Sequence, residues 1–220
     1  AFPVLSGAKV YTVTDCEDEL VRYSNAVEPT VHYWSDNGFC TVCDAYEPAQ
    51  LVDDYYQIGN AGQLYWFAQQ VNEKKQTSIN GKLTADIVVN ENVLKEDGTL
   101  NTGTFRNWTP IGNSSEKYAG IFDGDGKTVS GLYLNDSTAS YVGLFGYVNG
   151  GTVQNVGVVD SYLSGSYDVG GVVGENDGTV TGCYNAGTVS DQAYDVGGVV
   201  AEYHICNNWY LPLSQSTEIV

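Results

Sequence analysis

The stretch Val169-Gly170-Gly171-Val172-Val173-Gly174 returns as Val196-Gly197-Gly198-Val199-Val200, and it has a looser relative in "YVGLFG" from Tyr141 to Gly146. Counted from Tyr118, Tyr141, Tyr167 and Tyr194, the chain falls into similar units of 23, 26 and 27 residues, followed by a fourth that degenerates partway. Repeats of this length suit a solenoid, in which one unit makes one turn. Equivalent positions carry equivalent chemistry. Phe122, Phe145, Val173 and Val200 align as one column, and Val129, Val153 and Val180 as a second. Leu132, Val156, Cys183 and Cys206 align as a third. Each unit reads as two or three short β-branched runs separated by Gly, Asn, Asp or Ser. One such unit cannot bury its apolar face, but stacked turns can, each covered Val or Leu contributing roughly 1.5–3 kcal/mol. Backbone pairing between successive turns would satisfy the amides. The expectation is an all-β fold, a parallel, right-handed β-helix or solenoid.

The first turn of such a stack exposes a raw edge that needs covering. Upstream, Leu64, Phe67, Ala68 and Val71 follow the i, i+3, i+4, i+7 spacing of one helical face. Asn60 is placed to cap it, with Gln63 three residues later. A short amphipathic helix over about 61–72 is predicted to close the N-terminal end of the solenoid. The polar loop around "LKEDGTLNTG" is expected to be mobile.

Composition narrows the function classes. Nine Lys and Arg face 27 Asp and Glu, a net charge of −18 over 220 residues, and no Lys or Arg follows Lys127. Phosphate recognition needs clustered basic residues, so nucleic acid and anionic membrane are disfavoured as partners. The chain is 42% apolar, yet no run is long enough to span a bilayer. Gly (26) and Tyr (17) are abundant, which fits a β-rich protein with many tight turns. The absence of Met points to a mature or excised fragment.

The quartet Gly143-Leu144-Phe145-Gly146, set in "FDGDGKTVSGLYL", "GTVQNVGVVDS" and "GTVTGCYNAGTVS", resembles the GLUG-motif repeats of large bacterial surface proteins. The later copies depart from the motif, with Val172 and Val199 in place of Leu and Ala201 in place of the last Gly. The resemblance spans roughly residues 53–213. It implies a solenoid domain over 53–220, a Cys/His linker or knuckle over 16–52, and the tail of a preceding module over 1–15, where "AFPVLSGAKVY" looks like a closing segment. It also implies a secreted or wall-attached protein and a monomeric module within a longer chain.

Chemistry is concentrated in Cys16, His32, Cys40 and Cys43, the last two as "CTVC". Tetrahedral zinc takes four N or S ligands, and a CxxC turn offers two neighbouring thiolates. Three readings stand side by side: a zinc site, an inert or disulfide-bearing linker, and a redox-active pair, the last without the βαβ context such pairs usually have. Five cysteines cannot form a closed disulfide set. Asp123 and Asp125 in "FDGDGK" suggest half of a calcium loop, but Lys127 interrupts it and weak calcium binding competes with a plain Gly-rich turn. Cys183 and Cys206 read as core fillers, His204 as an end-cap residue, and "NWT", "NSS" and "NDS" as glycosylation acceptor matches.

The leading expectation is a non-catalytic structural or adhesive module. A second is carbohydrate binding, with Tyr118, Tyr141, Tyr167 and Tyr194 forming an exposed ladder suited to sugar rings, set against the plainer possibility that these rings brace one corner of each turn. The partner would be a glycan or a host or cell-surface protein. A polysaccharide-degrading enzyme is the third. It would need two facing carboxylates, and Asp160, Asp168, Glu175, Asp177 and Asp195 qualify only by being acidic.

Overall fold

The computed structural model describes residues 10–15, 22–27, 32–191 and 195–203. The first two segments pair as an antiparallel ribbon, β1 (Val10–Asp15) with β2 (Arg22–Val27). From β3 onward the described chain coils as a parallel β-solenoid of about five turns.

Three sheets run along it. The longest stacks β17 (Val200–Tyr203), β14 (Val173–Thr181), β11 (Phe145–Gln154), β7 (Ile121–Asp123), β5 (Asn80–Leu83), β4 (Tyr55–Ile58) and β3 (Gln50–Val52). Every pairing in it is parallel except β3 with β4. A second sheet orders β15 (Tyr184–Asp191), β12 (Gly157–Gly165), β8 (Thr128–Ser130) and β6 (Ile87–Val88), with β9 (Tyr133–Asn135) also on β12. A third joins β10 (Ser140–Val142), β13 (Tyr167–Gly170) and β16 (Val196–Gly197). Between them lies the core, a column of Val, Leu and Phe side chains from each turn.

The helix forms where the periodicity puts it, as α1 (Ala61–Asn72). The Asn60 side chain accepts the Gln63 N–H at 2.9 Å, and Gln63 reaches back to the Gly59 N–H at 2.7 Å. That is a capping box displaced by one residue. The helix is the crossover between the parallel strands β4 and β5, so its buried face closes the N-terminal end of the core. Phe67 meets Tyr56, Tyr118 and Phe122 edge-on, at ring separations of 6.4, 6.1 and 5.9 Å. At the outer edge β3 turns back antiparallel through Asp53 and Asp54, both at positive φ (50° and 65°), the backbone of a type I′ hairpin. This reversal ends the parallel ladder.

The columns hold in the C-terminal turns and fail in the first one. Phe145 lies opposite Val173, and Val173 opposite Val200; Val153 lies opposite Val180. Phe122, however, pairs with Val153 rather than stacking on Phe145, and Val129 pairs with Val158. Leu132 does not sit over Val156, because its N–H is bonded to the Ser161 hydroxyl. The rung beneath Phe145 is Ile111, and that beneath Val148 is Tyr118. The quartet ending at Phe122 imitates the one ending at Phe145, but it belongs to a different part of the turn.

The polar loop expected to be mobile is a hairpin laid against the second sheet. Leu94 bridges Leu100, and Val93 is fully buried. Asp160 accepts the N–H groups of Val93 and Leu94 at 3.2 and 2.9 Å, and the Thr188 hydroxyl donates to the Gly98 carbonyl at 2.6 Å.

Candidate functional site

Among the described residues, Tyr118, Tyr141 and Tyr167 do not form an exposed ladder. Tyr118 is fully buried against Phe67 and Phe145, its hydroxyl donating to the Ile79 carbonyl at 2.9 Å. It is a brace, and burial pushes its phenol well above the ordinary range. Tyr141 sits at a corner with φ of 60°, half-buried, its ring 5.6 Å from that of Tyr147. The pairing of Ser140 with Tyr167 and of Val142 with Val169 sets Tyr141 beside Asp168, not beside Tyr167. Asp168 has φ of 51°, so the two residues share a left-handed corner that side chains rarely adopt. Tyr167 is 47% exposed and Tyr184, in the second sheet, 45%. Tyr194 lies outside the described residues, as do His204 and Cys206.

Two of the acidic candidates, Asp160 and Asp177, are likewise occupied by structural bonds. Asp160 holds the hairpin. Asp177 accepts from the Tyr147 hydroxyl at 2.6 Å and from the Asn149 amide at 3.2 Å, while Lys117 lies 4.1 Å from the centre of the Tyr147 ring. Burial, together with the carboxylates of Asp177 and Glu175, pushes the Tyr147 phenol up. In the "FDGDGK" turn, Asp123 accepts the Asp125 N–H at 2.9 Å and the Asn155 amide at 3.2 Å, and Lys82 pairs with Asp125 at 3.5 Å. Cysteine 183 is buried beneath its turn with its sulfur directed at the Thr181 and Val153 carbonyls, a core filler as its spacing implies.

The Cys/His segment is different, because its reactive atoms converge. Trp34 bridges Cys40 and Phe39 bridges Tyr46, folding residues 32–46 into a compact double reversal. The Thr41 N–H donates to the Tyr33 carbonyl and the Cys40 N–H to that of Ala45. These bonds bring His32 across from the Cys40–Cys43 turn. His32 Nδ1 and Cys43 Sγ lie 3.4 Å apart, and the ligand atoms of His32, Cys40 and Cys43 all fall within 4.8 Å of one another. The His32 ring stacks on Trp34 at 5.0 Å with planes 23° apart, which fixes its direction. Burial pushes the Cys40 thiol up, but hydrogen bonds from the backbone at Val42, Cys43 and Tyr33 and from the His32 side chain outweigh it, bringing the thiol to about 6. Cys16, expected as a fourth member of the set, lies outside the described residues.

This knuckle is seated on the solenoid. Gly38 touches Gly62 of α1 so closely that a Cβ on Gly62 would fall 1.9 Å from the Gly38 carbonyl oxygen. The Gly62 N–H donates to Asn37, and Asn60 to Glu47, both at 2.7 Å. Phe39 packs edge-on against Tyr46 and Tyr65, with the Arg106 guanidinium 3.9 Å from its ring centre. None of this was legible beforehand. Gly38 and Gly62 are two glycines among many, and Arg106 is distant in sequence.

No family model matches the chain, and no solved structure matches it. Among curated proteins, the chain is 35% identical over 141 residues to halomucin of Haloquadratum walsbyi, an alignment covering 61% of this chain and 1% of that protein. It is 30% identical over 77 residues to a protein of Evansella cellulosilytica named as a Gly-rich membrane protein, covering 33% of this chain and 9% of that one. The chain thus spans a small fraction of the length of the relatives it matches. No helix among the described residues is long and apolar enough to cross a membrane.

Proposed function

We propose that this chain is a repeat module of a cell-surface protein, a non-catalytic solenoid of the GLUG type that spaces and displays neighbouring segments outside the cell. The carrying observation is the ladder of in-register rungs, Phe145 on Val173 on Val200 and Val142 on Val169 on Val196. Such stacking makes each turn depend only on its neighbours, so turns can be added to extend reach without redesigning a core. The names of the relatives, halomucin and a Gly-rich membrane protein, fit a surface setting. The acidic surface keeps the rod soluble and away from anionic partners.

The localisation is tested with antibodies raised against the purified chain. Labelling of intact, unpermeabilised source cells is expected, and labelling only after lysis would sink the proposal. The absence of catalysis is tested on a panel of polysaccharides, where release of reducing ends or unsaturated uronates above that of buffer would overturn it. Adhesion through sugars has one specific support, the exposed rings of Tyr167 and Tyr184. On a glycan array, binding that disappears in both Tyr167→Ala and Tyr184→Ala would establish it; a silent array leaves the module a spacer.

A further inference from the structure

We propose that His32, Cys40 and Cys43 form a zinc site that fastens the N-terminal knuckle onto the end of the solenoid. The inference is independent of where the protein resides and of what its surface binds.

Geometry is the first argument. Tetrahedral zinc with Zn–S near 2.3 Å and Zn–N of about 2.0–2.1 Å needs its nitrogen and sulfur ligands roughly 3.6 Å apart. The observed separation of His32 Nδ1 and Cys43 Sγ is 3.4 Å, and the Cys40 sulfur lies in the same small cluster. The fold thus gathers one N and two S donors within 4.8 Å of one another, with one N–S pair at the spacing a tetrahedral ion needs.

The second argument is support. A ligand set binds tightly when its side chains are held by their surroundings rather than collected by the metal. His32 is held by Trp34, and the Cys40–Cys43 turn by the Cys40-to-Ala45 and Thr41-to-Tyr33 backbone bonds. The whole knuckle is held by the Gly38–Gly62 contact and the Phe39–Arg106 stack. Cys40 and Cys43, together with Phe39, Asp44 and Arg106, line a cleft of about 80 Å³. That is room for a water as fourth ligand, which needs upwards of about 10–15 Å³.

Charge is the third. Two thiolates and a neutral imidazole balance Zn²⁺, so the complex adds no net charge beside the Arg106 guanidinium. On binding, two S–Zn bonds and one N–Zn bond form, and any proton still on a thiol leaves to solvent. The hard, oxygen-seeking cations are poorly matched to this donor set.

What the metal would accomplish is mechanical. Residues 32–46 have few backbone bonds of their own, and their aromatic contacts to the solenoid, from Phe39 and Tyr46, converge on Tyr65 of α1. Cross-linking His32 to the Cys40–Cys43 turn converts this short appendage into a rigid plug at the end of the stack.

The test uses the full chain, reduced and stripped with a chelator, then titrated with Zn²⁺ and separately with Co²⁺. One equivalent of zinc is expected. Cobalt should give the intense ligand-field bands of a tetrahedral site with a thiolate-to-cobalt charge-transfer band. Zinc at 100-fold over its Kd should raise Tm by about 5–10 °C. Uptake should vanish in Cys40→Ser and Cys43→Ser. Since outer partners alone are worth about 10–100-fold in metal affinity, His32→Gln should weaken it by at least about 100-fold. A pale octahedral cobalt spectrum overturns the proposal, and so does stoichiometric uptake that survives in the Cys40→Ser/Cys43→Ser double variant. The cobalt spectrum of the unaltered protein decides the matter even if a variant fails to fold. A Cys40–Cys43 disulfide forming in zinc-saturated protein would also overturn it.

Discussion

Two halves of the solenoid solve the same problem by different means. From Ser140 to Tyr203 the turns are near-copies, offset by 26 to 28 residues, and successive backbones zip together, β11 on β14 on β17 and β12 on β15. Between Tyr55 and Asn135 the turns differ in length, and the backbone cannot always reach its neighbour. Here side chains take over. The Asn90 carboxamide accepts the Arg106 N–H and donates to the Arg106 and Gly131 carbonyls. Asn72 spans Pro110 and Gly112, Asn80 spans Asp54 and Ile121, and Asp86 holds Thr128. A carboxamide offers the same donor and acceptor as a peptide group, so it can stand in for a missing rung. The irregular half also carries the heavy aromatics, Phe67, Trp108, Tyr118 and Phe122, where the regular half stacks Val. Periodicity gives the regular half its stability, and bulk gives it to the irregular half.

The largest consequence concerns those aromatics. Phe67→Ala removes a ring with three edge-on aromatic partners, and should cost about 3–5 kcal/mol in denaturant unfolding. Val173→Ala, in the middle of a regular rung, should cost at most about 3 kcal/mol. Equal losses at the two sites would erase the distinction between the halves. Next in size is Gly62→Ala. In an exposed helix interior this change stabilises by about 1 kcal/mol. Here the new methyl would strike the Gly38 carbonyl, so the sign should reverse, with a loss of about 1–3 kcal/mol. Thermal unfolding followed by circular dichroism reads that sign directly. A more stable Gly62→Ala protein would mean that the knuckle is not seated on the helix.

The contrast also explains what could be seen in advance. Leu64, Phe67, Ala68 and Val71 announce their helix because one face of it must be apolar, and Asn60 announces its start because the first turn has unpaired N–H groups. The C-terminal rungs are visible because identical turns demand identical residues at 27-residue spacing. The first turn was misaligned because Gly120-Ile121-Phe122 looks like Gly143-Leu144-Phe145, while the true rung beneath Phe145 is Ile111, in an aperiodic segment held by Trp108, whose indole N–H donates to the Gly143 carbonyl. No pattern in the chain marks a rung made by a Pro-containing loop. For the Cys/His set, residue type alone suggested the members, but their convergence depends on Trp34 bridging Cys40 and on a docking contact between two glycines. The Tyr spacing misled for a related reason: Tyr118 and Tyr141 begin similar words at different places in the turn.

If side-chain amides replace rungs in the irregular half, their loss should be felt where an equivalent surface change in the regular half is not. Asn90→Ala removes three hydrogen bonds between chain segments and should destabilise by about 1–2 kcal/mol. Thr179→Ala, exposed on β14, should stay within about 0.5 kcal/mol. Urea midpoints at constant m-value compare the two directly, and a neutral Asn90→Ala would remove the side-chain rung as an explanation.

The smallest effect is electrostatic, and it sharpens the same point. The Thr128 N–H and hydroxyl hold the Asp86 carboxyl below its usual range, and the hydroxyl and N–H of Thr99 and of Thr138 do the same for Asp97 and Asp136. A carboxyl whose value is lower folded than unfolded contributes stability that is present above the unfolded value, near 4. That stability is lost as pH falls through the folded value. All three groups should therefore make the protein less stable on acidification below about pH 4. They are not equivalent, however. Asp97 and Asp136 bond residues two positions away, a contact the unfolded chain can partly keep. Asp86 bonds a residue 42 positions away, a contact that exists only when the turns are stacked. Asp86→Asn should thus flatten the dependence of Tm on pH between 5 and 3, while Asp136→Asn should run parallel to the unaltered protein. Identical slopes for the two variants would mean that Asp86 does no more than a local turn does, and that the side-chain rungs of the irregular turns rest on the amides of Asn72, Asn80 and Asn90.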